Sequence, residues 1–291
     1  MKTSTSKRLR WNVAIWLAAG LFMTSTAGMA SGPILPDPKA EARHHPQIEE
    51  TANGIPLVNI TAPSSGGVSR NEYEMFNVPD KGAILNNSYT LSKTELAGYV
   101  PGNNNMAERP AKIIVNEVTG TGSTSMDGFL EVAGNRADVV IANPNGITVN
   151  GGGFIHTGKA FLTTGKPVYD GEDHLQRFDI TGGDILIEGK GLNGKEAGSL
   201  AILSRAVKIN AGIWAKDLHI TTGANNIDAK TLEASAIEGK GGRPAFALDT
   251  AAIGGMYAGR ITLVGTEKDW ASITAAHGAP KTTSPLTGTA T

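Results

Sequence analysis

Residues 137–165, ADVVIANPNGITVNGGGFIHTGKAFLTTG, constrain the fold more than any other stretch of the chain. Short apolar runs alternate there with spacers that hold Asn, Gly or Pro, a pattern that excludes a helix. Pro presets φ for a turn, Asn hydrogen-bonds its own backbone, and Gly accepts any φ. The runs are VVIA, GITV, GFIH and AFLTT, and the spacers are 143–145, 150–152 and 157–159. Short strands joined by such corners predict a coil whose turns stack on one another.

From residue 127 onward, similar strand-like runs recur along the chain. Matching positions at Val139, Ala160, Arg177, Leu200 and Asp217 lie 21, 17, 23 and 17 residues apart. Intervals of this size suit a coil in which each turn contains three short strands and their corners. The irregular spacing indicates a repeat of pattern, since the sequence itself does not repeat.

The predicted fold class is therefore all-β, a parallel β-helix (solenoid) with an N-terminal β cap formed by short strands in residues 51–92. A sandwich built from hairpins is the competing fold. Aromatic residues make up only 5% of the chain, and two-residue hairpin turns are scarce, so both features disfavour the sandwich.

Residues 1–30 have the order of a secretory signal peptide: four basic residues, an apolar run from Trp11 to Met23, and then small residues. The run is too short for a transmembrane span, which needs about 20 residues. Cleavage is expected after Ala27 or Ala30. Loss of four positive charges and no acids changes the net charge from −1 to −5. Such a chain offers no electrostatic attraction for nucleic acid or an anionic membrane.

The chain contains no cysteine, which excludes disulfides, a thiol nucleophile and a cysteine-bound metal. Residues 31–50 are rich in Pro, charge and His and are predicted to form an extended lead-in linker. His44 and His45 within it could form a metal pair, and a solvated linker is the simpler interpretation. Residues 51–267 are the predicted β-helix domain, and residues 268–291 are predicted to be a divergent, disordered tail.

Seven sequence elements point to a known family. They lie between about residues 45 and 267: ANGIPLVNI (52–60), N-x-Y-x-x-F-N-V (71–78), ILNNS (84–88), IIVNEVTG (113–120), GFLEVAG (128–134), ANPNGI (142–147) and LDTAAIGGMYAGRI (248–261). In these elements and their order the chain resembles the N-terminal secretion (haemagglutination activity) domain of two-partner-secretion exoproteins, the filamentous haemagglutinin and contact-dependent inhibition family.

The resemblance implies a right-handed parallel β-helix with an N-terminal cap, exported from a Gram-negative bacterium to its surface or medium. It implies recognition by the periplasmic domains of an outer-membrane transporter of the Omp85 type. The chain itself is predicted to have no enzyme activity, cofactor or metal. A host or neighbouring-cell surface is a further partner of such proteins. The downstream region that carries adhesion, haemolysis or toxin delivery is expected to be absent here, in a truncated or standalone product.

Two departures from the family stand out. The first asparagine signature of the family usually reads Asn-Pro-Asn-Leu, whereas this chain has Asn103, Asn104, Asn105 and Met106. Asn104 keeps turn propensity but does not fix φ as Pro would. Many members also carry two cysteines, at positions where this chain has Val149 and Gly152, so their disulfide is expected to be absent.

The candidate site residues fall into two groups. Asparagine corners act either as signals for the transporter or as plain turns whose buried side chains satisfy backbone groups. Aromatic residues near the ends of the coil are predicted to plug it, with a sugar-binding platform as the alternative. The corner residues are Asn103, Asn104, Asn105, Met106, Asn143, Pro144, Asn145, Gly146 and Ile147. The cap residues are Asn71, Tyr73, Phe76 and Asn77, and Met256 and Tyr257 are their counterparts at the other end.

Carboxylates within apolar runs allow a catalytic pair, but outward-facing strand positions explain them more simply. These residues are Glu117, next to Asn116, and Glu131. Asp170, Glu172 and Asp173 share one loop that could form a weak calcium site. The histidines at 156, 174 and 219 share no ligand spacing.

Two rival functions remain. The chain could be an adhesin whose exposed flank binds glycan or cells, or a β-helical polysaccharide lyase. A lyase needs clustered acids for calcium and a basic residue on one coil face, and the sequence shows no such cluster. The chain is predicted to be a monomer, and the open edge after Glu267 predicts concentration-dependent association.

Overall fold

The computed structural model describes residues 32–106, 109–242, 244–250, 255–267 and 272–274. The predicted signal peptide and most of the predicted tail lie outside these residues. Apart from one 3-10 turn at Ala42–His44, the regular structure of the described residues is β-strand. None of their helical segments is long and apolar enough to cross a bilayer. The strands are β1 (Ile34–Pro36), β2 (Gln47–Glu50), β3 (Pro56–Asn59), β4 (Val68–Phe76), β5 (Ala83–Asn87), β6 (Ser92–Thr94), β7 (Gly98–Val100), β8 (Ile113–Val118), β9 (Thr124–Met126), β10 (Phe129–Gly134), β11 (Ala137–Ala142), β12 (Ile147–Val149), β13 (Gly152–Ile155), β14 (Thr157–Thr163), β15 (Lys166–Tyr169), β16 (Leu175–Ile180), β17 (Asp184–Ile187), β18 (Leu192–Gly194), β19 (Ser199–Ser204), β20 (Ala206–Ile209), β21 (Gly212–Thr222), β22 (Asn225–Asp228), β23 (Ala234–Ala236), β24 (Leu248–Thr250), β25 (Gly255–Gly265) and β26 (Ser272–Thr274).

Parallel pairing arranges most of these strands into three faces of one coil. Face 1 contains β4, β8, β11, β14, β19 and the second halves of β21 and β25. Face 2 contains β9, β12, β17, β20, β24 and β26. Face 3 contains β3, β5, β10, β13, β18 and the first halves of β21 and β25. The chain visits the faces in rotation, and the hand of parallel crossovers makes this a right-handed parallel β-helix. The predicted fold class is confirmed.

The register corrects one of the predicted repeats. Val139 pairs with Ala160, and Leu200 pairs with Leu218, all four on face 1. Arg177 is not the start of a turn, because residues 166–180 leave the coil as the antiparallel hairpin of β15 and β16. A 40-residue interval from Ala160 to Leu200 therefore contains a single turn plus this excursion.

The predicted third corner is also displaced. Residues 157–159 belong to β14, and the chain turns instead at His156, whose φ of 55° is left-handed. A non-glycine residue in this region of φ is uncommon. The imidazole Nδ1 of His156 lies 3.0 Å from the carbonyl oxygen of Val132 on the turn below, so a side-chain contact holds the corner that Asn and Gly hold elsewhere.

Apolar side chains fill both the inside of the coil and the outer surface of face 1. Val139 and Ile141 point into the coil and join its main hydrophobic core. Val140 and Ala142 point outward and join a second buried cluster with Phe178. A four-stranded antiparallel sheet of β15, β16, β22 and β23 covers that outer surface. Because both sides of β11 are buried, its sequence is a continuous apolar run without alternation.

A smaller excursion covers face 3 in the same way. The β6–β7 hairpin packs over a third cluster that contains Leu57, Ile84 and Ala133, with Leu96 partly buried against it. Glu131 lies beneath this hairpin and accepts the backbone N–H groups of Glu95 and Leu96 at 2.7 and 2.9 Å. The carboxylate thus supplies hydrogen-bond acceptors for the backbone N–H groups in the turn of the hairpin.

The N-terminal cap is larger than the sequence indicates. Residues 31–50 were predicted as a linker, but β1 pairs antiparallel with β4, and β2 pairs antiparallel with β3. The linker expectation is wrong for the described residues of this segment, because two of its strands pair with the edges of the sheet. These strands are too short to show a clear apolar pattern in the sequence. Tyr73 and Phe76 are fully buried in the core beneath, with ring centroids 4.8 Å apart.

At the other end, β25 is the last strand of faces 1 and 3 among the described residues. Ile261 and Leu263 continue the inward positions of Leu218 and Ile220, and they are 41% and 44% exposed. Residues 272–274 add a parallel strand to face 2. The association expected at this end stays a prediction.

Candidate functional site

The corner at residues 143–147 is held by the side chain of its first asparagine. Asn143 is fully buried, and its Nδ2 donates to the carbonyl oxygen of Gly122 and to Thr124 Oγ1, each at 3.0 Å. Its Oδ1 accepts the backbone N–H of Asn145 at 2.9 Å. The N–H of Gly146 closes the turn on the carbonyl of Asn143 at 3.1 Å. Asn143 thus ties this corner to the turn of the coil below.

The corner at residues 103–106 repeats this geometry without the proline. Asn103 is 2% exposed, and its Nδ2 donates to the carbonyls of Ile60 and Asn86, both at 2.9 Å. Its Oδ1 accepts the N–H of Asn105 at 2.9 Å, and the N–H of Met106 closes the turn at 3.1 Å. The same four-residue turn therefore forms at both corners.

Each corner has both buried and exposed residues, and the two kinds have different roles. The first asparagine and the fourth residue of each turn are buried, and Ile147 is buried behind the second corner. Pro144, Asn145 and Asn104 are exposed, and Asn105 is half-buried. A partner can therefore touch only the tips, while Asn103 and Asn143 act by holding the backbone beneath them.

The two corners lie on opposite sides of face 1. Asn143 follows β11 where face 1 leads into face 2, whereas Asn103 bonds to Ser88 at the end of a face 3 strand. The strands of face 1 between them are about six residues long, which corresponds to roughly 20 Å at 3.3 Å per residue. A partner that contacts both tips must span this width.

Replacing Asn104 by Pro should stabilise the chain by about 0.4–1 kcal/mol. The turn matches the one that already accepts Pro144, and Asn104 donates no backbone hydrogen bond within the described residues. Asn105→Pro is the matched control, because it deletes the N–H that bonds Asn103 Oδ1, and it should destabilise. Urea denaturation of both variants checks this. Equal effects of the same sign would contradict the shared turn geometry.

The cap asparagines also act through backbone groups. Asn71 is fully buried. Its Oδ1 accepts the N–H of Thr61 at 2.9 Å, and its Nδ2 donates to the carbonyl of Val115 at 3.2 Å. Asn77 accepts the N–H of Ser125 at 2.8 Å. The Tyr73 hydroxyl donates to Asn116 Oδ1 at 3.0 Å, so Asn116 points into the core rather than outward.

The acidic residues of the apolar strands are buried but are not brought together. Glu117 lies on face 1 and Glu131 on face 3, each on the covered outer surface. Burial raises the pKa of both carboxyls. Arg70 lowers the pKa of Glu117 and so opposes part of this rise. The N–H groups of Glu95 and Leu96 do the same for Glu131. This placement gives no support to a catalytic pair.

A charged cluster, not anticipated from the sequence, joins the first segment to face 1. The Arg70 guanidinium lies 2.8 Å from Glu72, 3.3 Å from Glu117 and 4.5 Å from the ring centroid of Tyr169. His44 Nδ1 lies 3.2 Å from the same Glu72 carboxylate, and burial, with Arg70 adding to it, lowers the pKa of His44. No spacing in the sequence links residues 44, 70, 117 and 169, because four separate elements meet here.

The loop around Asp170 closes on itself. Asp170 Oδ1 accepts the N–H groups of Glu172 and His174 at 2.9 Å, and Oδ2 faces the His174 imidazole. Asp173 pairs instead with Arg43. Across the part of the chain that the structure describes, no group of three His, Cys, Asp or Glu side chains is arranged to hold a metal ion.

The aromatic residues at the C-terminal end differ from the prediction. Met256 packs against the core. Tyr257 is 59% exposed and stacks on Trp214 of the turn below, with centroids 5.9 Å apart and planes 12° from parallel. Tyr257 is therefore not a plug, because it occupies an outward position of face 3.

Stacked parallel faces, an antiparallel cap and two buried-asparagine corners define a capped parallel β-helix. Over residues 33–283 the sequence matches the family described as the TPS secretion domain. The chain belongs to this family.

The chain is similar to a small part of several larger proteins. It is 46% identical over 240 residues to the toxin CdiA of Yersinia pestis, 46% identical over 243 residues to the 16S rRNA endonuclease CdiA of Enterobacter cloacae, and 41% identical over 229 residues to the tRNA nuclease CdiA-2 of Burkholderia pseudomallei. These matches cover 82%, 82% and 78% of this chain but only 7% of each relative.

A solved structure supports the same assignment. The filamentous hemagglutinin secretion domain superposes with a TM-score of 0.75 at 33% sequence identity, covering 82% of this chain and 80% of that one. The resemblance drawn from the seven sequence elements is confirmed.

Proposed function

We propose that this two-partner-secretion module docks, through the tips of its two asparagine corners, on the periplasmic domains of an Omp85-type outer-membrane transporter. The observation that carries the proposal is the shared geometry of the corners. Each has a buried asparagine that fixes the turn and an exposed tip, at Asn104 or at Pro144 and Asn145. A rigid tip loses little conformational entropy on binding, which favours recognition.

The module would then be delivered to the cell surface or medium of a Gram-negative bacterium. It would serve as the secretion signal of an exoprotein of the filamentous-hemagglutinin or CdiA type, and adhesion or toxin delivery would belong to other regions of such an exoprotein. The module itself would not be an enzyme, because Glu117 and Glu131 are committed to Arg70 and to the β6–β7 turn.

The test is release of the chain from cells that also produce the transporter, measured together with its melting temperature. We expect Asn104→Arg and Pro144→Arg together to reduce release about tenfold, as loss of a central contact would, while the melting temperature changes little. Pro144→Ala separates loss of the ring from the added bulk, and Ala236→Arg places one of the two added charges on the outer sheet instead. Release that falls only in step with the melting temperature, or equally in Ala236→Arg, would remove the recognition role.

A further inference from the structure

A groove of about 970 Å³ runs along the coil at the corner where face 3 leads into face 1. Small residues form its floor, including Ala111, Ala137 and Gly198. A Cβ atom at Gly158 would collide with the Asp138 carboxylate, and one at Gly198 would lie 2.9 Å from the carbonyl oxygen of Gly158. Gly198 is exposed and Gly158 is half-buried, and neither has a side chain, so backbone is accessible at these two positions.

Positive charge dominates the walls of this groove. Four cationic side chains line it: Arg109, Lys112, Arg136 and Lys159. All four are exposed, and no ion pair joins any of them to another residue in the described ranges. The two carboxylates on the same walls are already engaged: Asp138 accepts the N–H of Lys159 at 2.7 Å, and Asp217 lies 3.6 Å from Arg260.

Three of the cations stand on successive turns of the coil. Lys112 precedes β8, Arg136 precedes β11, and Lys159 lies in β14, and these strands are adjacent on face 1. Neighbouring strands are about 4.8 Å apart, so the charges form a ladder along the axis. Arg136 is held in place because its guanidinium donates to the carbonyl of Thr157 at 2.9 and 2.6 Å.

This concentration of positive charge is local, because the whole chain carries a formal net charge of −1. A cationic groove in an acidic protein attracts an anionic partner and raises its rate of association. Among the described residues that line the groove, none is aromatic. Bases are commonly recognised by aromatic stacking, and that platform is missing. An acidic polypeptide, which brings both carboxylates and a backbone, therefore fits this groove better than a nucleic acid does.

We propose that this groove binds an extended, acidic segment of polypeptide from a partner protein. Its carboxylates would pair with Lys112, Arg136 and Lys159, and its backbone would face the floor of small residues. Lys and Arg pair with carboxylates through charge-assisted hydrogen bonds, which are stronger than neutral ones. None of the residues of the two asparagine corners lines the groove, and its binding does not depend on the transporter role.

Fluorescence anisotropy with the intact chain and a labelled peptide of about eight Glu residues tests this proposal. The triple variant Lys112→Glu, Arg136→Glu and Lys159→Glu should bind at least about tenfold more weakly. The triple variant Lys81→Glu, Lys93→Glu and Lys190→Glu makes the same charge change elsewhere on the exposed surface and should stay within about twofold. Wild-type binding should weaken as salt is added.

Three results would overturn the proposal: no binding of the Glu peptide by the wild type, equal losses in both triple variants, or tighter groove-dependent binding of a sulfated oligosaccharide than of the peptide. Thermal melts establish that each variant is folded. Should the groove triple variant fail to fold, Lys112→Gln and Lys159→Gln provide single neutral changes. Each should weaken peptide binding about threefold. If neither variant changed peptide binding, the proposal that the groove binds the peptide would be contradicted.

Discussion

Replacing Ile141 by Asp is expected to abolish cooperative folding of the coil. Ile141 is fully buried in the main core and pairs in register with Asn116 on one side and Leu162 on the other. A carboxylate there has no cationic partner, and burying it costs at least several kcal/mol. Domains are typically stable by only about 5–15 kcal/mol. Circular dichroism should show no cooperative thermal transition for this variant.

Ile141→Val is the matched control, because it keeps the position apolar and removes one methylene group. It should cost about 0.5–1.5 kcal/mol and leave a single transition. If Ile141→Asp instead melted like the wild type, the side chain could not lie inside the coil, and the assignment of β11 to face 1 would be wrong.

Replacing Phe76 by Ala is expected to destabilise the chain by about 3–5 kcal/mol. Phe76 is fully buried in the core at the end of β4, its ring packs against that of Tyr73, and β1 pairs with it at Ile34. The cavity would lie where the antiparallel cap meets the first parallel strands, so the cap should loosen first. Urea denaturation gives the free energy of unfolding, and hydrogen exchange locates the loss.

Met75 offers the comparison, since it precedes Phe76 in β4 but is 37% exposed. Met75→Ala should change the free energy of unfolding by less than about 1 kcal/mol. Similar losses in the two variants would show that Phe76 does not close the core, and the role of this residue in the cap would have to be given up.

Local chemistry was enough to predict the corner at Asn143. Pro144 restricts its own φ and disfavours the helical region for the residue before it, and Gly146 takes a φ of 111°. Such preferences act within four residues and do not depend on the rest of the fold. The equivalent turn at Asn103 has a weaker local signal, because Asn104 tolerates a turn without requiring it.

The two excursions from the coil could not be predicted from periodicity. The run at 175–180 has the same short apolar pattern as a strand of the coil, which is why Arg177 was assigned to a turn. Antiparallel pairing with β22 places Phe178 against the outside of face 1. The partner strand lies about 50 residues away, and no local signal in the sequence reports such a distant pairing.

Burial of the acidic residues has the same origin. Alternation correctly predicts that Glu131 points away from the interior of the coil, but it cannot show that the β6–β7 hairpin lies over it. The cluster of His44, Arg70 and Glu117 likewise depends on how the first segment packs on face 1.

The sequence by itself determined the all-β class, the positions of the asparagine corners and the family. Only the tertiary structure decided which strands belong to the coil, what covers its outer surfaces, and which side chains of each corner are exposed. The physical reason is range: turn preferences and side-chain alternation are set by neighbouring residues, whereas strand pairing and burial are set by segments that meet only when the chain has folded.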